Sequence, residues 1–428
     1  MPTGNLNMAH AHLSEAAYFA ETTPGTPPAD AAAWVSSGTR IRHLQESLDV
    51  TGIVPADLED MRSQANILDH ELRVEGLRNG SHPLSVYLTG TGTTTGAGSQ
   101  VSSIALDDLL GNALGGVDHS NSTTLSGTHT TTSIEVAADT NFAVGGHVAV
   151  VDGDGDGKLY VRRLIENTSG TTWTLDEALP FTPADGDVVH GCTTVYVDPD
   201  VLADSNSSGR QFSWWLAKGG GSAENWELTG CKLQLDSINV PRGELPTVDF
   251  TNHYSDFTAP NESPPDPSWT ATPSGVAPVA TGPEVTSFIA DYGTTAQNGV
   301  CVNNLEITPG VPILRDEVQT SNTSGMMGTC KYYLGRGETT ATMMLPFDTT
   351  YMADWAAGTY KVFRYANAPV SAGQGWAFGM PRAEVMVKPH RNVSGEESKQ
   401  SVTLKAHRDT TTIGSTDLAR SPFYIVLF

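Results

Sequence analysis

The chain has 428 residues, enough for two or three domains with a sizeable core, and only 17% of them are charged, beside abundant Gly, Pro, Ser and Thr. That composition suits many short strands joined by tight turns and predicts a mainly β fold. Forty-eight acids against 24 bases give a net charge of −24, which excludes a protein that grips nucleic acid phosphates with clustered Lys and Arg.

The first 25 residues lack a basic region followed by an apolar core, so no signal peptide is expected, and no run approaches about 18 apolar residues. Synthesis in the cytosol of the producing cell follows. The four cysteines, Cys192, Cys231, Cys301 and Cys330, show no CxxC spacing and are expected as buried thiols in a reducing compartment.

Residues 1–36 are rich in Ala and Pro and are expected to form an arm ordered only against a neighbour. Thr39 to Leu48 reads as a first strand, and the polar Val54 to Gln64 as a long loop. His70 to Leu88 reads as two strands broken at Asn79-Gly80. Leu106, Leu109, Leu110, Ala113 and Leu114 form a helical stripe, with Asp107 and Asp108 in the first turn and Gly115 at the end.

Between residues 117 and 198 the pattern changes. Ser133 to Val136, His147 to Val151, Leu159 to Ile165, Thr172 to Leu175 and Asp187 to Val195 are predicted strands of a small inserted sandwich or barrel. Phe212 to Leu216 resumes the first module. A hairpin follows: Cys231, Leu233 and Leu235 alternate, Pro241-Arg242-Gly243 turns, and Leu245 to Phe250 returns. The Pro-rich stretch 259–284 reads as a stiff linker into a second module, 285–428.

That second module repeats the order of signals. Ala341, Met343, Leu345 and Phe347 alternate in a strand; Asp348 or Thr349 caps a helix whose face is Tyr351, Met352, Trp355 and Ala356; Gly358 stops it. A hairpin follows: Ala383, Val385 and Val387 alternate, Asn392 to Glu396 turns, and Val402, Leu404 and Ala406 return. The final strand, Pro422 to Phe428, is apolar enough to require pairing. The shared strand, helix, hairpin order favours duplication over chance likeness, with a first module made of residues 37–116 and 199–258.

No catalytic signature is present: no G-x-S-x-G, no H-E-x-x-H, no P-loop and no dinucleotide-binding turn, so no enzyme and no cofactor is expected. The most site-like run is Asp152-Gly-Asp-Gly-Asp-Gly-Lys158. Asp152, Asp154 and Asp156 match the start of a calcium loop, but its twelfth position, which needs a bidentate Glu, is Arg163. An acidic hairpin turn and a calcium site both stay open, the first favoured. The Asn-x-Ser/Thr triplets at Asn167, Asn322 and Asn392 are by-products of Ser/Thr richness.

Several of these stretches together resemble the tail tube (major tail) proteins of long-tailed bacteriophages, in the larger form with a duplicated tube module. The resemblance is carried by Glu21-Thr-Thr-Pro-Gly-Thr26, the strand, loop and helix of Leu84 to Gly115, and Trp226-Glu-Leu-Thr-Gly-Cys-Lys-Leu233. Gly243-Glu-Leu-Pro-Thr-Val-Asp-Phe250 and the second copy, Thr329 to Asp409, add to it. It covers residues 15–116 and 210–428 and rests on the order of elements; the insertion resembles decorations on some family members.

The resemblance implies a virion protein whose modules line a pore, in rings stacked between tail tip and tail terminator proteins. Double-stranded DNA passes through without specific binding, and no membrane is involved. Two modules per chain imply a trimer with pseudo-sixfold symmetry, with a hexamer the alternative. Glu75, Gln234, Asp236, Glu338 and Glu384 are candidates for the lumen or polar barrel face, against ordinary outer-surface acids. Asp57, Glu59, Asp60, Asp316 and Glu317 are candidates for ring-to-ring contacts. The rival readings are a capsid decoration or baseplate protein, and a calcium-binding carbohydrate-recognition or adhesin protein built on the Asp152 loop and exposed Trp residues.

Overall fold

A computed structural model describes residues 15–22, 25–44, 57–58, 74–75, 80–91, 105–138, 141–153, 155, 157–198, 211–218, 224–258, 266–269, 278–282, 285–294, 299–318, 328–335, 337–367, 373–386, 389–394, 397–410 and 414–428. The chain is mainly β, every described ladder is antiparallel, and the largest sheet forms a half-barrel.

In chain order, β1 (Glu15–Ala20), α1 (Ala31–Ser37), β2 (Thr39–Ile41), β3 (Asp57–Leu58), β4 (Val74–Glu75), β5 (Gly80–Tyr87) and α2 (Ala105–Leu114) come first. Then follow β6 (Gly115–His119), β7 (Thr123–Thr124), β8 (Ser133–Glu135), β9 (His147–Val151), β10 (Leu159–Asn167), β11 (Thr172–Leu175), β12 (Val188–Gly191) and β13 (Thr193–Val197). β14 (Phe212–Lys218), β15 (Glu224–Pro241), β16 (Thr247–Tyr254) and β17 (Asp256–Thr258) end the first half. The second half holds β18 (Val285–Asp291), β19 (Asn304–Thr308), β20 (Ile313–Val318), β21 (Gly328–Leu334), β22 (Thr340–Pro346), α3 (Thr350–Ala357) and β23 (Tyr360–Asn367). It ends with β24 (Trp376–Val385), β25 (His390–Ser394), β26 (Glu397–Ala406), α4 (Asp417–Arg420) and β27 (Tyr424–Leu427).

The two halves repeat one pairing order. In the first, β5 pairs with β16, β16 with β15, β15 with β14, and β14 with β1. In the second, β22 pairs with β26, β26 with β24, β24 with β23, and β23 with β18. A helix follows the leading strand of each series. The halves join edge to edge where β15 meets β19 at Ile238↔Ile307 and β19 continues to β22 at Ile307↔Ala341. Alternation explains the packing: Leu84, Val248, Leu233, Ile238, Ile307, Met343 and Leu404 are all buried in one core that runs through both halves. Each such side chain stabilises by about 1.5–3 kcal/mol over leaving it exposed.

The helices differ in burial. Almost all of α2 is buried, and its Asn112 Oδ1 accepts from Leu233 N at 2.8 Å, tying the helix to β15. Gly115, at φ +102, ends it in a conformation that costs glycine nothing. Asp348 starts α3 by accepting from Thr350 N at 2.8 Å, and Gly358 ends it at φ 62, as expected. The expected apolar face of α3 is not packed. Only Tyr351 is buried and Trp355 is 39% exposed, so α3 lies on the surface.

The described part of the expected N-terminal arm belongs to the fold. β1 lies between β14 and β2, Tyr18 stacks on Phe212 at 4.9 Å, and Trp34 of α1 is buried with its indole donating to Glu227 at 3.0 Å. The strand expected over Thr39 to Leu48 is limited to β2 among the described residues. Asp57-Leu58, expected in a loop, pairs with Val74-Glu75, so the expected strands on either side of Asn79-Gly80 are not partners. The Pro-rich linker is also partly docked: Thr281 Oγ1 donates to Pro241 O at 2.6 Å and accepts from Gly243 N at 2.7 Å, pinning the β15–β16 turn.

The insertion is narrower than 117–198. Its own six-stranded sheet, in the order β7-β12-β9-β10-β11-β8, excludes β6 and β13, which pair with each other in the main sheet. The single strand expected over Asp187 to Val195 breaks at Cys192: β12 serves the inserted sheet and β13 bonds to β27. The expected pairing of the final strand is thereby met, by β13 on one side and β24 on the other. Arg364 of β23 fastens the insertion down through buried ion pairs with Asp176 and Glu177, and Arg163 reaches Asp409 at 3.3 Å. Cys192 and Cys231 are buried as expected, whereas Cys301 is exposed.

Candidate functional site

The residues opposite the core side chains form a continuous polar face. Tyr87, Thr247, Asn239, Glu306, Thr342 and Thr403 are successive register partners across β5, β16, β15, β19, β22 and β26. A second row runs Ser85, Asp249, Ser237, and a third runs Thr308, Thr340, Lys405, Glu384. The face therefore crosses the junction between the halves without interruption.

Neutral donors hold its carboxylates. Asp249 accepts from Ser85 at 2.6 Å, Ser237 at 3.0 Å and Asn239 at 2.8 Å. A bulge between Leu235 and Ser237 puts Asp236 and Ser237 consecutively on this side, where Asp236 accepts from Gln234 at 2.9 Å and Thr251 at 2.6 Å. Hydroxyl and amide donors satisfy these oxygens without cancelling their charge. At the margin, Glu338 meets Lys405 at 2.7 Å and Glu384 meets His407 at 3.1 Å.

Four of the five lumen candidates thus come together: Gln234 and Asp236 as a bonded pair, Glu384 as the register partner of Lys405, and Glu338 as its ion-pair partner. Glu75 does not join them. It sits on β4, in a separate two-stranded sheet opposite Asp57. Asp249 and Glu306 belong to the site and escaped the sequence reading, although Val248-Asp249-Phe250 and Leu305-Glu306-Ile307 show the same alternation that exposes Gln234. Among the ring-contact candidates, Asp57 is on β3, Asp316 and Glu317 are on β20 opposite Lys331 and Thr329, and Glu59 and Asp60 lie outside the described residues.

The chain matches no family model and no curated protein.

Lys232, on β15 at the end of this face, is the register partner of His253 and is 1% exposed. Its Nζ has no hydrogen-bond partner among the described residues, and burial pulls its pKa from 10.5 down to about 7. The base of the β20–β21 hairpin packs beside it: Tyr332 donates to Tyr254 O at 2.8 Å, and its ring lies 6.1 Å from His253.

The Asp152 run forms the turn between β9 and β10, closed by Asp152 N donating to Lys158 O at 3.1 Å and Gly157 N to Asp152 O at 3.2 Å. Asp154 and Asp156 lie outside the described residues, and no cluster of three potential metal ligands occurs among the described ones. The Trp residues that an adhesin reading needs on the surface are mostly inside: Trp34, Trp173, Trp214, Trp215, Trp226 and Trp376 are buried. No described helix is long and apolar enough to cross a membrane.

Proposed function

We propose that the chain is a phage tail tube protein that polymerises into stacked rings, with the polar sheet face lining the conduit for DNA ejection. The observation that carries this reading is the uninterrupted polar face shared by two halves of identical strand order. A half-barrel with a sealed core on one side and an unbroken polar surface on the other needs a closed ring to become a pore, and repeated halves let three copies act as six.

The chemistry of the face fits passage rather than binding. Duplex DNA carries about one negative charge per 1.7 Å, and a wall of cations would hold it by counterion release. Here Asp236, Asp249, Glu306 and Glu384 share the face with Lys405, and the first two are bonded only by neutral hydroxyl and amide groups. Phosphates are repelled and slide.

Electron microscopy of purified protein at raised concentration tests the reading. Stacked rings with an open channel are expected, and averaging reports three or six subunits per ring. Monodisperse particles without a pore would refute it and favour a decoration or baseplate role.

A further inference from the structure

Lys232 and Gln211 are both almost fully enclosed, at 1% and 3% exposure. Among the described residues, neither the Lys232 Nζ nor either polar atom of the Gln211 amide has a hydrogen-bond partner. Buried polar groups are nearly always bonded, to protein, to ordered water or to an ion, so two orphans side by side call for a shared partner.

Register brings the two together. Phe212↔Cys231 is the outermost β14–β15 pair, and both of its side chains enter the core. Gln211 and Lys232 are the next residues on the two strands, so both turn to the opposite side of the sheet. Gln211 stays extended beside β1, where its carbonyl accepts from Glu21 N at 2.9 Å. Lys232 runs on beside β16 as the register partner of His253, whose ring lies 6.1 Å from that of Tyr332. Amine and amide thus stand on neighbouring strands, whose backbones are about 5 Å apart.

No described carboxylate serves them. Glu21 reaches the same side of β14, but its oxygens already accept from Ser213 Oγ at 2.6 Å, Gly230 N at 2.9 Å and Gly25 N at 2.5 Å. Burial is the one influence that moves the Lys232 pKa, so no described charge acts on the amine. What the pair offers is an ammonium and an amide NH2, donors to a ligand that only accepts.

We propose that Lys232 and Gln211 hold a small monovalent anion of the chloride class between β14 and β15. One negative charge balances one ammonium, whereas sulfate or phosphate would leave a second charge buried. The enclosure of both side chains limits the ligand to a single small ion. The ion bridges β14, on which β1 lies, to β15, which joins the two halves. The site stands apart from the tube reading and does not depend on it.

Urea unfolding at pH 6 tests it, with sodium gluconate replaced stepwise by sodium chloride at constant ionic strength. The folding constant of wild type should grow about tenfold for each tenfold rise in chloride above the dissociation constant. Lys232→Met should abolish that dependence. Gln211→Glu should abolish it for a different reason: its carboxylate supplies the negative charge internally, so this variant should be more stable than wild type in gluconate. The chloride NMR line should be broadened by folded wild type and not by either variant, and if Lys232→Met does not fold, Gln211→Glu carries the comparison. Wild type indifferent to chloride, or a variant that responds to chloride as wild type does, overturns the anion site.

Discussion

Replacing Lys232 with Met removes a buried amine that has no partner among the described residues and keeps its apolar stem. The unfolded chain takes up a proton near pH 10.5, but the folded amine does so only near pH 7. A lowered lysine pKa means that wild type loses stability as pH falls from about 10.5 to about 7, below which the loss is complete. At 1.36 kcal/mol per pH unit, the penalty reaches at most about 5 kcal/mol, and relaxation around the amine lowers what is measured. Lys232→Met should therefore raise stability by roughly 2–5 kcal/mol at pH 6–7, with the difference shrinking to within about 1 kcal/mol near pH 10.5. Urea unfolding of both proteins at several pH values between 6 and 10.5 measures it. Equal stability at pH 6, or a gain that does not change with pH, would refute the burial argument.

Arg364→Leu should destabilise by about 3–5 kcal/mol, since it strands Asp176 and Glu177 against the inserted sheet, and limited proteolysis should then release residues 120–192 faster. Glu21→Gln should cost about 1–3 kcal/mol in denaturant unfolding, because both carboxylate oxygens accept, from Ser213 at 2.6 Å, Gly230 N at 2.9 Å and Gly25 N at 2.5 Å, and an amide NH2 cannot. Removing residues 1–36 should prevent folding rather than only assembly, as β1 and Trp34 go with them; a cooperative unfolding transition in that truncation would contradict it. Glu306→Lys with Glu384→Lys should give tubes that retain duplex DNA at low salt and release it at high salt, a change that a filter-binding assay reads directly.

Alternation made much of this fold legible. β22 carries apolar side chains at every second position, and β5, β16 and β26 do so over part of their length, broken by buried His82, Asn252 and Gln400; that same rhythm exposed Gln234 and Asp236. It failed where tertiary context decides. Asp187 to Val195 reads as one strand, yet Gly191 packs so tightly that a Cβ would sit 2.1 Å from Ser120 O, and the chain passes there from one sheet to another. β1 is short and Ala-rich, and its place depends on Phe212 and Trp214, almost 200 residues away. The β3–β4 pairing of Glu75 could not be read because a two-residue strand has no period, and the Asp236 bulge leaves no mark in sequence.

His119 and Thr193 are direct register partners, so the chain leaves for the inserted domain and returns from it at points about 5 Å apart. A tight turn joining β6 to β13 would close the same gap. The main sheet thus offers a socket: a domain with adjacent ends could replace this one without altering the β6–β13 register, provided that it also supplied carboxylates for Arg364 and apolar cover for Ala366, Ala377 and Val426.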